Sequence, residues 1–501
     1  MHLQLDGTGS IVSQLVRALR ATIASGSLPP GSALPPTRQL AAEYGFSRST
    51  IVAAYEQMQA EGLLTAHVGA GTRVAEHKAS GAQNMRQGTP GSRRFCAPPS
   101  TYAARLRSCC DYRAVPGRRP PDVRVAFLYG EPMAHPLLAS AWHRELVRAS
   151  AYCRTGYPSA PGLHELRTQV CTYLDRYRGI HAQPDDVVIV GGTQQALALT
   201  ARVLLDVGDR AIIEDPHYYA TRTVLETHGA RVDALPVDSD GLQCDRLPER
   251  GARLICLTPA HQFPTGAVLS QPRRHQILQY AERHDGWIFE DDYDSEFRVR
   301  NRSVAALRSL DHGDRVVYAG TFSKTLFPAL RLGYLIAPAP LREDFIAAKF
   351  LDDMGSPALE QLALANFMAN GGFERHLRRN GKLLRQRRVR LLDGLQRLSR
   401  GRLDIVQSSS GMHVVVWLNV GDSATGRRLI ELAHERGLGL FPIDVCYQSP
   451  PRRAGLLMGY GALSNTEISE GLAILEVCLD QVSREGPAVV RQLSENDKTP
   501  A

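Results

Sequence analysis

The first 76 residues place their apolar side chains on a helical period. In "SIVSQLVRALRATIASG", Ile11, Leu15, Leu19 and Ile23 share one face, and Gly26 closes the run. "PPTRQLAAEYG" predicts a short second helix with Thr37 near its start. "FSRSTIVAAYEQMQAEG" predicts a third: Ser47 is a good N-cap, and Ile51, Tyr55 and Met58 are spaced for burial. The period then shortens to two. "LLTAHVGAGTRVAE" alternates on both sides of Gly69-Ala70-Gly71, as a β-hairpin does. Helix, helix, turn, helix and hairpin predict a winged helix-turn-helix over residues 1–76.

Between 77 and 122 the apolar period vanishes. Gly, Pro, Ser and Arg dominate "ASGAQNMRQGTPGSRRFCAPPS" and "AVPGRRPPD", which predicts a linker. From 123 to 490 short apolar runs alternate with helical stretches. "DDVVIVGG", "DRAIIED", "ARVDALPV", "ARLICLTP", "GWIFEDDY" and "DRVVYAG" are the strand candidates. This pattern predicts a mixed, mostly parallel α/β sheet covered on both faces. Near 346–400 the pattern is helical, and the arginines of "FERHLRRNGKLLRQRRVRLLDGLQRL" are expected on a solvated face. A smaller α+β portion follows, with "SGMHVVVWLNV" and "AGLLMGYGAL". Residues 491–501, ending in "SENDKTPA", are expected to be a disordered tail.

Composition narrows the class. A chain of 501 residues exceeds one core, so several domains are expected. No apolar run approaches the roughly 18 residues needed to cross a bilayer. "MHLQLDGTGS" has no basic segment followed by an apolar one, so a cytoplasmic protein with no membrane partner is expected. The nine cysteines are scattered without a C-x-x-C pair, which argues against a disulfide framework and a zinc ribbon. No metal is expected. Residues 1–76 carry five basic and five acidic side chains, whereas 77–122 carry nine basic against two acidic. The linker therefore holds most of the net charge of +8, as an attraction for phosphates or as a solvated spacer.

Two constellations carry chemistry. A recognition helix puts its N-terminal side chains at base edges, and here that end is Ser47-Arg48-Ser49-Thr50. Arg48 offers a bidentate donor pair to guanine. Arg38 opens the preceding helix, and Gly69 and Gly71 let the wing approach the backbone or minor groove. The competing reading of "SRST" is a cap on a surface helix. The second constellation surrounds Lys324. A lysine that forms a Schiff base needs a deprotonatable amine in a pocket. Pyridoxal 5′-phosphate (PLP) needs four more elements: an anion cradle, a carboxylate for its ring nitrogen, a donor for its phenolic oxygen and an aromatic plate. The turn Gly191-Gly192-Thr193-Gln194, the ring of Tyr218, Asp291 with Tyr293, and the group Thr321, Ser323, Arg331 are candidates for these. The acidic run Glu290–Glu296 is open to a metal site or a solvated loop.

The wider strings resemble known families. "SGSLPPGSALPPTRQLAAEYGFSRSTIVAAYEQMQAEGLLTAHVGAGTRV" resembles the GntR-type winged helix along essentially its whole length, with Ile51 in place of Val and Met58 in place of Leu. Residues 123–485 resemble the fold type I aminotransferases. "LTPAHQFPTG", "EDDYDSEFR" and "FSKTLFPALRLGY" resemble the aminotransferase-like half of MocR regulators in particular.

The resemblance implies a multidomain protein: a winged helix-turn-helix followed by an α/β fold type I PLP-dependent aminotransferase-like domain. It implies that Lys324 carries PLP as a Schiff base, that Asp291 pairs with the ring nitrogen, and that Tyr293 donates to the phenolic oxygen. Thr193, Gln194, Thr321, Ser323 and Arg331 then hold the phosphate, and Tyr218 stacks on the ring. Tyr157, in "TGYPSAPGLHELR", then reaches the partner subunit's phosphate in a homodimer. Arg38, Ser47, Arg48, Ser49 and Thr50 then face double-stranded DNA, as an operator with two half-sites.

Two departures bear on activity. Phe263 stands where aminotransferases have Asn before "PTG", and His261 is the candidate substitute. Leu457 stands where many carry a carboxylate-clamping arginine, and Arg452 or Arg453 are the candidate substitutes. The expectation is a PLP-dependent transcriptional regulator that senses an amine, an amino acid or PLP itself, with at most residual transamination. The alternatives are a metabolic aminotransferase carrying a DNA-binding module, and a DNA-binding protein whose large domain only dimerises.

Overall fold

A computed structural model describes residues 3–67, 71–75, 98–110, 119–132, 136–153, 155–297, 304–406, 408, 411–419 and 421–496. The chain divides into two compact units, Met1–Pro98 and Pro99–Ala501.

The small unit is α1 (Ile11–Ala24), α2 (Thr37–Tyr44), α3 (Arg48–Ala60) and a hairpin of β1 (Leu64–His67) and β2 (Gly71–Val74). Its helix boundaries follow from local chemistry. Ser10 caps α1 by accepting the Ser13 N–H, Gly45 ends α2 at φ 69°, and Ser47 caps α3 by accepting the Thr50 N–H at 3.2 Å. Leu15, Leu19, Leu40, Ile51 and Met58 are fully buried, and Tyr55 donates to the Pro35 carbonyl at 3.0 Å. Ile11, expected on the buried face, is 39% exposed, because burial begins a turn later at Gln14 and Leu15. The hairpin pairs Leu64 with Val74 and His67 with Gly71. Gly69 lies outside the described residues.

The large unit begins with α4 (Thr101–Cys109) and β3 (Val125–Ala126). Then come α5 (Pro136–Ser150), α6 (His164–Arg178), β4 (Val187–Val190), α7 (Thr193–Leu204), β5 (Arg210–Asp215) and α8 (Tyr219–His228). They are followed by β6 (Arg231–Asp238), β7 (Gly241–Leu242), β8 (Leu254–Leu257), α9 (Gln271–Arg283), β9 (Trp287–Asp292), β10 (Val316–Thr321) and β11 (Gly333–Ile336). The C-terminal part holds α10 (Arg342–Asp353), α11 (Ala358–Ala369), α12 (Gly372–Ser399), β12 (Leu403–Ile405) and β13 (His413–Leu418). It ends with α13 (Ser423–Glu435), β14 (Leu438–Gly439), β15 (Gly455–Gly459) and α14 (Asn465–Asn496).

Eight strands form the main sheet in the order β4-β11-β10-β9-β8-β5-β6-β7. Strands β10, β9, β8, β5 and β6 run parallel, and β11 is antiparallel to both β10 and β4. All residues of β4, β8, β10 and β11 are buried, as a sheet covered on both faces requires. Leu197, Leu225 and Phe345 pack over one face, and Trp142, Leu166 and Leu364 over the other. Because β4 runs with the parallel set, the C-terminal ends of β4, β5, β9 and β10 meet at one edge. That edge is where open α/β sheets bind ligands. The second sheet, β12-β13-β15, packs against α12–α14 through Leu391, Leu395, Val414, Leu429 and Leu456.

Three expectations need correction. The segment 77–122 is not linker throughout. "STYAARLRSC" has a Ser100 cap and good helix formers, and it folds as α4. Arg105 donates to the Thr227 carbonyl at 2.8 Å, and the Tyr102 ring meets His228 edge-on, so α4 is docked on α8. The arginines of α12 are not all solvated: Arg388 is buried and donates to the Ser408 carbonyl, and Arg387 donates to the Gly461 carbonyl at 2.5 Å. Helix α14 continues to Asn496, into the tail expected from 491.

Candidate functional site

At the common edge, Thr193, Gln194, Tyr218, Asp291, Tyr293, Thr321, Ser323, Lys324 and Arg331 line one cleft of about 360 Å³. Nine of the predicted positions, from four separate segments, are thus brought together.

Lys324 follows β10. Its Nζ donates to the Gly130 carbonyl at 2.6 Å. Burial draws its ammonium below the ordinary lysine range, opposed by the carboxylates of Asp294, Asp291 and Glu131. An amine so placed loses its proton more readily than a surface lysine and is a better nucleophile. Gly130 has φ +77°, which favours glycine, and a Cβ there would stand 2.7 Å from the amine and push the lysine aside.

Below the lysine, the groups fit a bound anion. Gly192 caps α7 at φ +103°, leaving the first N–H groups of a 12-residue helix turned to the cleft. A Cβ at Gly192 would lie 3.6 Å from both terminal Arg331 nitrogens and 3.7 Å from Thr321 Oγ1, so the missing side chain leaves a cradle between them. The Ser323 N–H donates to Thr321 Oγ1 at 3.1 Å, while Ser323 Oγ is buried without a partner among the described residues. A buried, unpartnered hydroxyl beside a guanidinium and a helix N-terminus is what a phosphate would satisfy.

Asp291 sits on β9 opposite Ala319 of β10 and accepts from Thr193 Oγ1 at 3.2 Å. Burial pushes its carboxyl up to about 7, with the Thr193 hydrogen bond opposing. Such a group favours a cationic partner, as a protonated ring nitrogen would be. Above it, Phe263 is the hub of an aromatic box. Tyr129, Tyr218, Tyr293 and His413 lie 5.5–6.0 Å from it, ring centre to ring centre. His413 is pushed down to about 4 by burial and is neutral at physiological pH.

Other predicted residues lie elsewhere. His261 is 2% exposed and does not line the cleft; it reaches it through Tyr293, whose hydroxyl is 3.0 Å from His261 Nδ1. Tyr157 is 85% exposed on the loop before α6, away from this chain's own cleft. Arg452 is exposed, and neither it nor Arg453 lines the cleft. Arg453 donates to Asn419 at 2.6 Å and to Asp404 at 3.3 Å, with its guanidinium over the Trp417 ring. Its donors are committed at the surface. Leu457 is fully buried beside Val415 and Ile443.

The acidic run is neither a solvated loop nor a cluster around one point. Glu290 accepts the N–H groups of Leu307 and Arg308, Asp292 pairs with Arg178, Asp294 with His261, and Glu296 accepts from Tyr173. Among the described residues no group of three or more His, Cys, Asp or Glu is arranged to hold a metal ion. The sequence reading missed Tyr129, Gly130, Glu131, Asp294, Met412 and His413 as cleft residues. The one available signal was "VAFLYGEP", an apolar run ending in a turn beside the supposed linker.

In the small unit, Arg38, Ser47, Arg48 and Ser49 are exposed and Thr50 is half-buried. Ser47 does act as a cap, and its hydroxyl also meets those of Ser49 and Thr50 at 2.8 and 2.7 Å. Capping does not account for the arginines. Arg17 pairs with Asp6, Arg20 with Glu61, and Arg73 donates to the Gly31 carbonyl. Among the described residues of the small unit, Arg38 and Arg48 are the two arginines whose guanidinium groups have no such protein partner.

Comparison with known proteins matches both units. Residues 11–74 match the bacterial regulatory proteins of the gntR family, and residues 130–447 match aminotransferase class I and II. The chain is 35% identical to the probable rhizopine catabolism regulatory protein MocR of Rhizobium meliloti, over 94% of each chain. It is 33% identical to the transcriptional regulator TauR of Rhodobacter capsulatus, over 93% of this chain and 96% of that one. It is 30% identical to the pyridoxine biosynthesis transcriptional regulator PdxR of Corynebacterium glutamicum, over 90% and 92%. Among solved structures, the kynurenine aminotransferase of Pyrococcus horikoshii superposes with a TM-score of 0.66 at 23% identity, covering 75% of this chain and 98% of that one. That likeness establishes the fold. No helix among the described residues is long and apolar enough to cross a membrane.

Proposed function

This chain belongs to the MocR family of helix-turn-helix transcriptional regulators, with a GntR-type winged helix and an aminotransferase class I and II domain, and from that premise we propose that its cleft is a PLP-dependent sensor. The observation that carries the proposal is the enclosed Lys324 amine between the Asp291 carboxyl and the anion cradle of Ser323 and Arg331.

When bound, PLP supplies an electrophilic carbon for amines and an electron-withdrawing ring. The chain's own residues do the rest. Lys324 offers a readily deprotonated amine. Asp291 holds a proton on the ring nitrogen, and Tyr293 donates to the phenolic oxygen. Thr193, Gln194, Thr321, Ser323 and Arg331 hold the phosphate, and Tyr218 covers the ring. Tyr157 completes the partner subunit's site in a homodimer. An amine, an amino acid or PLP itself is the effector. It changes operator affinity only through a different interaction energy with the two states of the dimer. Arg38 and the Ser47–Thr50 end of α3 face the operator, and paired winged units read two half-sites.

The aminotransferase fold leaves catalysis open as a second reading. Leu457 favours the sensor, because an apolar side chain stands where many aminotransferases clamp a carboxylate. PLP added to the purified chain should give a visible absorption band that is absent in Lys324→Ala, and effector amines should perturb that band and operator binding together. No band in the native chain would overturn the sensor reading. Multiple-turnover amino transfer would replace it with the metabolic one.

A further inference from the structure

Asp294 and His261 are buried behind Tyr293, and their hydrogen bonding is over-determined. His261 Nδ1 lies 3.0 Å from Asp294 Oδ1, 3.0 Å from Asp294 Oδ2 and 3.0 Å from the Tyr293 hydroxyl. Among the described residues, His261 Nε2 is buried without a partner. An ionised carboxylate only accepts, so the proton must reside on Nδ1. A protonated Nδ1 cannot accept from Tyr293. The phenol keeps its own proton and must direct it elsewhere. Tyr293 and Asp294 both line the cleft, whereas His261 does not.

We infer that Asp294 and His261 are positioning residues: the carboxylate fixes the Nδ1–H tautomer of His261, and that tautomer makes Tyr293 a hydrogen-bond donor into the cleft. The inference rests on the PLP reading for its consequence, but not for its geometry. Burial, aided by Asp294 and Asp291, holds the Tyr293 phenol well above its ordinary range, so it stays a donor. The other titratable groups facing this cluster are Lys324 and Glu131 from the cleft, the buried Glu214 and Asp292, Arg388 of α12 beside His413, and His413 itself, whose ring is 5.7 Å from His261 and neutral. None of them supplies Nδ1 with a competing acceptor as close as Asp294.

The first test needs no cofactor. Nitrogen-15 shifts of the histidines in the PLP-free chain, with His261 identified by its loss in His261→Phe, should show Nδ1 protonated and Nε2 bare. An Nε2–H tautomer overturns the inference. The second test reads the consequence. A donor to the phenolic oxygen favours its ionised form, so withdrawing it should raise the pH midpoint of the visible band. Asp294→Asn also removes a charge, which moves the midpoint regardless of Tyr293. The shift caused by Asp294→Asn is therefore measured in the native and the Tyr293→Phe backgrounds, where the charge effect is common to both. The native background should show a midpoint higher by about one pH unit than the cycle would add up to. That excess should vanish when His261→Phe is combined with Asp294→Asn, because no Nδ1 remains to take the phenol proton. A merely structural pair predicts no such rescue. A native chain without any visible band defeats the PLP reading. A band whose midpoints simply add defeats this inference alone.

Discussion

Arg48 stands exposed on the first turn of α3, whereas Lys324 is enclosed behind the end of β10. The difference extends to their surroundings. The small unit solves its charges locally, by Arg17–Asp6 and Arg20–Glu61 pairs at the surface, and leaves two guanidinium groups over. The large unit draws its charges inward: Glu214 and Glu290 are buried carboxyls, and Asp291 is half-buried at the cleft. A surface that must meet a polyanion works in water, where unpaired cations cost little. A cleft that must activate an amine works by excluding water.

The largest effect should come from breaking the small unit alone. Ile51 is fully buried, and Ile51→Ala should remove about 2–5 kcal/mol. A unit this small has little stability to lose. Its calorimetric transition should fall sharply and operator binding with it, while the visible band formed on adding PLP persists. Simultaneous loss of the band would show that the two units do not fold independently.

Arg48→Ala should separate docking from folding. Operator affinity at fixed salt, read by fluorescence anisotropy, should drop by about 1–3 kcal/mol per lost bidentate contact, with the small unit's transition unmoved. Unchanged affinity would return "SRST" to a cap and nothing more.

The two units should also answer pH in opposite directions. Burial raises Glu214, Glu290 and Asp291 to about 7, so the folded large unit holds protons that the unfolded chain, titrating near 4, has released. Their contribution is complete below pH 4 and is lost as the pH rises through 7. Each group can add up to ~1.4 kcal/mol per pH unit to that slope. Asp6 and Glu61 are held down by Arg17 and Arg20, so the small unit instead loses their contribution as the pH falls through the acid range. Denaturation of the PLP-free chain at pH 5, 6 and 7 should show the large unit weakening and the small one nearly constant. Asp291→Asn should flatten the large unit's slope.

The same contrast governs what could be read in the chain. The elements of the small unit lie within 65 residues, and cap, apolar face and turn each leave a local signal, so α2, α3 and the wing were legible from periodicity. The strands of the large sheet were legible for the same reason: β4 and β8 are short, continuously apolar runs, and β5, β9 and β10 each carry one at their centre or start. What periodicity cannot report is which loop faces which. Gly130 meets Lys324 across 194 residues, and His261 meets Asp294 across 33. The family resemblance supplied Lys324, Asp291 and Arg331. It gave no hint of Arg388 inside α12 or of α4 within the supposed linker, because a buried arginine and a docked amphipathic turn look like a solvated face until the partner surface is known.

The smallest effect is the one that checks the carboxylate clamp. Arg453 was a candidate to replace the missing arginine at Leu457, but its guanidinium lies over Trp417 and donates to Asn419 and Asp404. Asp404 and Arg453 are both about half-exposed, so the pair belongs with surface ion pairs worth about 0–1 kcal/mol. Arg453→Ala should lower the large unit's stability by no more than that. It should leave the midpoint of effector-induced change in the visible band where it was. A weakened response to a carboxylate-bearing amine, with an unchanged response to one that lacks the carboxylate, would mean that Arg453 leaves Asp404 for the effector. Equal responses would leave the cleft with Arg331 as the one described guanidinium among its lining residues, already committed in the proposed reading to the phosphate.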